Sequence, residues 1–279
     1  SKKAPIAIRI NPDISAGGNE KISTGKAQDK FGISWKEAYE VYEYASTLHG
    51  IEIKGIDAHI GSQINQLEPF NHSFDKLKEI TSMLKNKGLK IDIIDVGGGL
   101  GVKYKENETP IDVKKYGELL SEKLGELDCK VIIEPGRFLT ANAGILVTKI
   151  LHIKKSDIKN FVIVDAGMND FIRPTLYGAH HNIIPLKEPK KLENLKCDIV
   201  GPVCETGDFF AKDIDLNDIN EDDFLAICSA GAYGSVQSSN YNTRASIDEL
   251  LINNGEYEII RKRINEDTII DKDIISKWV

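Results

Sequence analysis

Val131 to Phe138 reads V-I-I-E-P-G-R-F, and the interpretation of this stretch decides the fold. Val131, Ile132 and Ile133 are three β-branched residues in a row, the pattern of a parallel strand buried on both faces. The run stops at Glu134, followed by Pro135, Gly136 and Arg137. A carboxylate just past a strand end stands where α/β proteins place their chemistry. Gly136 lets backbone approach a ligand closely, and Arg137 offers a planar cation suited to phosphate or carboxylate. A strand-to-loop turn with a solvated ion pair would give the same tetrapeptide, so the neighbouring segments decide.

Upstream, strand and helix patterns alternate. Pro5 to Ile10 reads as a strand with Arg9 and Asn11 at its end, and a loop runs from Pro12 to about Gly32. Ser34 and Glu37 then form a capping box for a helix whose apolar face carries Trp35, Ala38, Val41, Ala45 and Leu48. Gly50 stands where a left-handed residue would close that helix. A strand to about Ile60 precedes a helix carrying Phe70, Phe74, Leu77 and Leu84, closed by Gly88. Ile91 to Val96 is the next strand, and G-G-G-L-G plus a helix from about Asp112 to Leu127 lead to Val131. Four strands alternating with three helices imply a parallel sheet with right-handed crossovers. A closed barrel of such units takes eight of them and roughly 250 residues. Residues 1–140 therefore read as half of a (β/α)8 barrel.

Downstream the pattern becomes all-β. Short strands are expected at 145–153, 160–165, 198–203, 224–229 and 257–264, with turn residues between them. Residues 141–279 thus read as a second, sandwich- or barrel-like β domain. The tail after Asn265 is charged and rich in isoleucine.

The bulk properties exclude several classes. With 279 residues, 41% hydrophobic and 28% charged, the chain suits one large or two ordinary globular domains. A net charge of −7 argues against nucleic acid or an anionic membrane as the main partner. Apolar runs are too short for a bilayer, and no signal peptide opens the chain. Cys129, Cys197, Cys204 and Cys228 lack metal-ligand spacing and are sparse for a disulfide scaffold. A reducing cytoplasm and no metal are the expectations.

Chemistry-bearing residues gather at the expected strand ends. His59, in H-I-G-S-Q with Ser62, is either a structural histidine or a flat ring able to stack on an aromatic ligand. Gly97, Gly98 and Gly99 offer N–H groups that could cradle a phosphate, although a tight turn has the same composition. The triplet lacks the acidic ribose partner of a dinucleotide fingerprint. Glu134 could hydrogen-bond a protonated ring nitrogen while Arg137 neutralises an anion. A phosphate cradle, a stacking partner and a carboxylate together match pyridoxal 5′-phosphate, whose pyridine nitrogen must stay protonated to act as an electron sink.

The motifs R-I-N-P, K-F-G-I, H-I-G-S-Q, D-V-G-G-G-L-G, E-P-G-R, I-R-P-T-L-Y-G-A, G-P-V-C-E-T-G-D and G-A-Y-G…S-S-N-Y-N occur in this order. In them the chain resembles the fold-type III pyridoxal phosphate decarboxylases, and within that family the branch acting on meso-diaminopimelate. The likeness runs from about Arg9 to Arg244 and more weakly to Arg263. It implies that His59 stacks on the cofactor ring and Glu134 keeps the pyridine nitrogen protonated. It also places Ser62, Gly98, Gly99, Gly136, Arg137 and Tyr233 around the phosphate. Cys204 would protonate the α-carbon after carbon dioxide leaves, in the active site of a partner subunit, so a homodimer is implied. Arg137, Arg173, Tyr177 and Tyr233 would border the substrate, with Arg173 and Tyr177 holding its distal carboxylate and Glu205 its ammonium group. Without the resemblance, Cys204 would be taken for a buried thiol.

The ornithine-type decarboxylases resemble the chain too, but carry aspartate after the cysteine and lack the I-R-P-x-L-Y motif. Unpaired charges in such a site would disfavour a shorter substrate. The family's lysine-bearing Y-A-x-K-A-N segment does not occur in this chain, nor do the first four βα units. The chain is therefore expected to correspond to the later part of such an enzyme, to be inactive or barely active alone, and to expose open sheet edges. Thr175, where the family usually has alanine, and His180 are smaller departures. A non-catalytic regulatory subunit, a polyamine-pathway decarboxylase and an alanine-racemase-like enzyme are the competing readings.

Overall fold

In the computed structural model, residues 2–15, 24–25, 29–188 and 193–278 are described. The chain divides into two compact units, Ser1–Thr140 and Ala141–Val279. The loop expected over residues 12–32 lies partly outside the described residues. No helix among the described residues is long and apolar enough to cross a membrane.

Unit 1 is a parallel sheet with helical crossovers. Its strands are β1 (Ala4–Asn11), β2 (Ile33–Ser34), β3 (Ile51–Asp57), β4 (Ile93–Asp95) and β5 (Lys130–Ile132), in the order β2-β1-β3-β4-β5. Helices α1 (Ala38–Thr47), α2 (Glu68–Asn86) and α3 (Val113–Leu124) connect them, and the short α4 (Gly136–Thr140) follows β5. The helical periodicity of the sequence is realised most fully in α2, which buries Phe70, Phe74, Leu77, Ile80 and Leu84 along one stripe. Each such side chain contributes about 1.5–3 kcal/mol of burial. Tyr116 from α3 meets Phe70 edge-on at 5.1 Å, which locks the two helices together. Gly88, with φ of +87°, closes α2 in the left-handed region as expected.

Several local expectations are corrected. Ser34 caps through the Lys36 N–H, so the expected reciprocal bond of a capping box gives way to a single turn of 3-10 helix before α1. The buried face of α1 is Ala38, Tyr42 and Ala45, with Tyr42 in place of Val41. Tyr42 is carried inside because its hydroxyl donates to the Gly55 carbonyl at 2.7 Å. Gly50 is not left-handed. Leu48 ends α1 in extended conformation, and the Gly50 carbonyl instead accepts the Ala4 N–H, feeding the chain into β3. β5 is not buried on both faces: Val131 and Ile132 are half-buried and Ile133 is 47% exposed. The reason is its place in the sheet, as an edge strand that among the described residues pairs with β4 alone.

Unit 2 is built on one six-stranded sheet: β6 (Leu146–Lys154), β7 (Asn160–Val164), β8 (Ile183–Pro185), β9 (Asn194–Val200), β10 (Phe209–Asn217) and β11 (Phe224–Ile227). The order is β10-β9-β7-β6-β11-β8, antiparallel except for the β7–β9 pair. The end strands β8 and β10 approach each other, so the sheet curls toward a barrel instead of stacking as a sandwich. Ile150, Val162, Val164, Ile199, Leu225 and Ile227 fill its interior. A hairpin of β12 (Glu249–Asn253) and β13 (Glu256–Arg261) forms its own two-stranded sheet, and Asn265 caps the short α6 (Glu266–Ile270) in the tail. β8, β10 and β12 went unread in the sequence. β10 alternates poorly because two register shifts and a left-handed Asp213 interrupt it. A short helix, α5 (Arg173–Tyr177), lies between β7 and β8.

Candidate active site

In unit 1 the candidate site forms where β3, β4 and β5 end side by side. Asp57 pairs with Asp95, and Asp95 with Ile132, so the segments that follow emerge together. Backbone bonds stitch them: Ala58 N–H to the Asp95 carbonyl at 3.0 Å, Val96 N–H to Ile132 at 3.0 Å and Glu134 N–H to Gly97 at 2.8 Å. His59 Nδ1 accepts the Gly98 N–H at 3.1 Å. That acceptor role places the ring proton on Nε2. Burial, and after it the Arg9 cation, pushes the His59 pKa below its ordinary value, so the imidazole is a neutral flat ring.

The Gly97 N–H is donated to Asp95 Oδ1 at 2.9 Å, so the N–H groups of Gly97 and Gly98 are both engaged within unit 1. What these two glycines provide is room. A Cβ on Gly97, at φ of +68°, would sit 2.5 Å from the Ala58 carbonyl oxygen, and one on Gly98 would overlap the Glu134 carbonyl oxygen. Gly136 differs, because a Cβ there would meet nothing within 4 Å. No packing among the described residues calls for glycine at that position. Gly136 is itself exposed.

Arg137 is 6% exposed. Its Nε and Nη2 donate to Ser62 Oγ at 3.2 and 3.0 Å, and Nη1 donates to the Tyr104 hydroxyl at 2.7 Å. The guanidinium plane is thereby fixed between two hydroxyls. Tyr104 was not foreseen, since K-Y-K in a loop carries no pattern. Across the same strand ends, Asp57, Asp95 and Glu134 form a row of carboxylates. Burial pushes Asp57 up to about 6, Asp95 and Glu134 add to it, and Arg9 at 4.0 Å opposes them. Asp57 Oδ1 is buried without a hydrogen-bond partner among the described residues.

A second group of the expected residues gathers in unit 2. Arg173 opens α5 and is 6% exposed. Its Nε donates to His181 Nε2 at 3.3 Å, and His181 Nδ1 donates to the Cys228 carbonyl at 2.9 Å, an arrangement that fixes a neutral tautomer. The rings of Tyr177 and Tyr233 lie 5.8 and 5.9 Å from the guanidinium carbon. Tyr233 holds φ of +58°, a strained conformation for a bulky residue. Gln237 donates to the Tyr177 hydroxyl at 3.2 Å.

Cys204 and Glu205 sit on a turn that Asp208 builds. The buried Asp208 carboxylate accepts the N–H groups of Met168 and Val203, both at 2.7 Å. Burial raises the Asp208 pKa while those two bonds resist the rise. The Thr175 hydroxyl donates to the Gly207 carbonyl, so α5 and this turn form one framework. That bond gives the unexpected threonine a structural role. Cys204 is exposed, correcting the default of a buried thiol, because the interior of the turn is taken by Asp208. Tyr241 donates to Glu205 Oε2 at 2.7 Å. His181, Asp208 and Tyr241 lay in quoted motifs or beside them, yet no spacing signalled their contacts.

Residues 1–141 match the family model of the pyridoxal-dependent decarboxylase, pyridoxal binding domain. Among curated proteins, diaminopimelate decarboxylase of Aquifex aeolicus is 46% identical over 270 residues, 97% of this chain and 64% of the relative. The Haemophilus influenzae diaminopimelate decarboxylase is 48% identical over 263 residues, 94% of this chain and 63% of the relative. This chain thus spans less than two thirds of the length of these relatives. Among solved structures, diaminopimelate decarboxylase from Helicobacter pylori complexed with L-lysine matches with a TM-score of 0.92 at 42% identity, over 97% of this chain and 67% of that one. An arginine decarboxylase of Paramecium bursaria Chlorella virus, at 24% identity and a TM-score of 0.74, shares the fold.

Proposed function

The chain belongs to the pyridoxal-dependent decarboxylases, and from that membership we propose that it supplies the cofactor cradle and the substrate-recognising groups of an enzyme converting meso-2,6-diaminopimelate to L-lysine and carbon dioxide. Unit 1 is then the second half of a (β/α)8 barrel and binds the cofactor, while unit 2 contributes Cys204, Glu205 and Tyr233. The side chains present fit pyridoxal phosphate. Ser62, Gly99, Gly136, Arg137 and Tyr233 would surround its phosphate, and the fixing of the Arg137 guanidinium on Ser62 supports that placement. His59, neutral and planar, would lie against the ring, with Gly98 clearing space beside it. Glu134, flanked by Asp57 and Asp95, would hold the ring nitrogen protonated, since a row of carboxylates favours a cation. Bound pyridoxal phosphate supplies the electron sink for decarboxylation.

The observation that carries the substrate assignment is the tie between α5 and the Cys204–Asp208 turn through Thr175 and Gly207. It joins the short helix that Arg173 opens to the turn that carries Glu205. A ligand whose far end is itself an amino acid, with one carboxylate and one ammonium, uses both. Cys204 Sγ would deliver the proton to the carbon that loses carbon dioxide, acting in the active site of a second copy in a homodimer. The chain by itself is expected to turn over little or no substrate.

The test uses this chain joined to the part of the Aquifex aeolicus relative that it does not cover, termed the completed enzyme below. Arg173→Met should lower kcat/KM for meso-diaminopimelate by about 10²-fold, the loss expected when a charged hydrogen-bonded contact to substrate is removed. Arg173→Lys, which keeps the charge without the planar fork, should fall between the two. A kcat/KM within twofold of the parent for a folded Arg173→Met variant would contradict the assignment.

A further inference from the structure

Tyr241 plays no part in the roles assigned above, yet its setting is among the most constrained in unit 2. It opens a 3-10 turn, Tyr241–Thr243, in which Asn242 and Thr243 hold φ of +57° and +56°. Two successive non-glycine residues in the left-handed region are costly, most of all for β-branched threonine. Such backbone persists only where its surroundings hold it. Here both ends are clamped on the same loop. The Ser239 N–H donates to the Asn169 carbonyl at 2.8 Å. Arg244 Nε donates to Asn169 Oδ1 at 2.8 Å, and Nη2 to the Asp165 carbonyl at 2.7 Å. Asn169 is buried and donates in turn to Asp170 Oδ1 at 2.9 Å. Within the turn, the Asn240 side chain donates to the Arg244 carbonyl at 3.1 Å.

The clamped turn has one outward product, the Tyr241 hydroxyl held 2.7 Å from Glu205 Oε2. We infer that Tyr241 is the positioning residue for Glu205: the strained turn fixes its phenol on Oε2, so that Oε1 remains as the acceptor for the ammonium group of a substrate. This rests on the reading of Glu205 as the ammonium-holding group. Glu205 stands on an exposed turn, and a glutamate there would otherwise sample many rotamers. Fixing one oxygen removes that ordering cost from ligand binding. Oε1 lies so near Gly207 that a Cβ there would approach it at 3.0 Å, so the turn closes on the carboxylate from its other side. The bond also works on the phenol. Hydrogen bonding to Glu205 and its negative charge raise the Tyr241 pKa.

Two readouts test this. Tyrosines labelled with 13C at Cζ are titrated by NMR in the chain itself, with Tyr241→Phe identifying the resonance. The Tyr241 phenol should titrate above the usual value of about 10 and move back toward it in Glu205→Gln. No movement in Glu205→Gln would overturn the inference. This readout needs no turnover, so it tests the Tyr241–Glu205 contact even where the decarboxylase reading fails. In the completed enzyme, Tyr241→Phe should lower the ratio of kcat/KM for meso-diaminopimelate to that for 2-aminopimelate, which lacks the distal ammonium, by about tenfold. The loss should fall mainly on KM. Equal losses on both substrates would mean a merely structural tyrosine and would also overturn the inference, whereas an unmodified completed enzyme inert toward meso-diaminopimelate would overturn only the proposed function.

Discussion

Cys204→Ala in the completed enzyme should lower kcat for lysine formation by about 10²–10⁴-fold, the range contributed by one positioned general acid. The substitution removes the thiol and leaves its support in place, because the turn is held by the Asp208 carboxylate on the Met168 and Val203 N–H groups. Alanine also fits without a clash, since Cys204 is exposed. Glu205 keeps its bond to Tyr241. The loss should therefore appear in kcat with little change in KM, as expected for a group that acts after substrate is bound. Steady-state assay by lysine release measures it, and a circular-dichroism melt confirms the fold. A racemase using another acid–base pair would be indifferent to the change. An unaltered kcat would place the proton donor on another residue and remove the main support for decarboxylation in unit 2.

Gly98→Ala should have the largest effect in unit 1. The added Cβ overlaps the Glu134 carbonyl oxygen, a backbone atom that no side-chain rotation can move. Relief requires the exits of β4 and β5 to separate, and separation breaks the Glu134 N–H bond to the Gly97 carbonyl. The cost should be about 3 kcal/mol or more, as for other overpacked backbone contacts. Urea unfolding followed by far-ultraviolet circular dichroism reads it, together with loss of pyridoxal phosphate binding. Gly136→Ala is the contrast. Its Cβ meets no protein atom, so stability should be retained while cofactor affinity falls. Equal stability of Gly98→Ala and the parent would show that the strand ends are not packed as described.

The α/β character of unit 1 was legible because its apolar residues keep a regular period. Phe70, Phe74, Leu77 and Leu84 recur on one face of α2, and all four are buried. Tyr42 was hidden because its burial depends on an acceptor, the Gly55 carbonyl, that only tertiary structure supplies. The edge position of β5 was hidden for a related reason: V-I-I reads alike in a central strand and an edge strand, and sheet order is not written in local sequence. In unit 2, β6, β7 and β11 were legible from their apolar runs. β10 was not, because Lys212, Asp213 and Asp215 break its alternation where the register shifts.

The candidate site divides along the same line. His59, Ser62, Glu134, Arg137, Arg173, Cys204 and Glu205 stand in short motifs whose chemistry can be named from the residues. Tyr104, His181 and Tyr241 are hydrogen-bonded to Arg137, Arg173 and Glu205, and Asp208 holds the turn of Cys204 through the Met168 and Val203 N–H groups. Such contacts leave no spacing to read.

The most direct measurement offers the completed enzyme meso-2,6-diaminopimelate, L-ornithine and L-alanine in parallel, with carbon dioxide release and chiral chromatography of the products. L-lysine and carbon dioxide should form from meso-diaminopimelate, with kcat/KM at least about 10²-fold above that for L-ornithine, because the Arg173 and Glu205 charges are left unmatched by the shorter substrate. D-alanine should not form. Putrescine formed from L-ornithine at a comparable rate, or racemisation of alanine without release of carbon dioxide, would contradict the assignment.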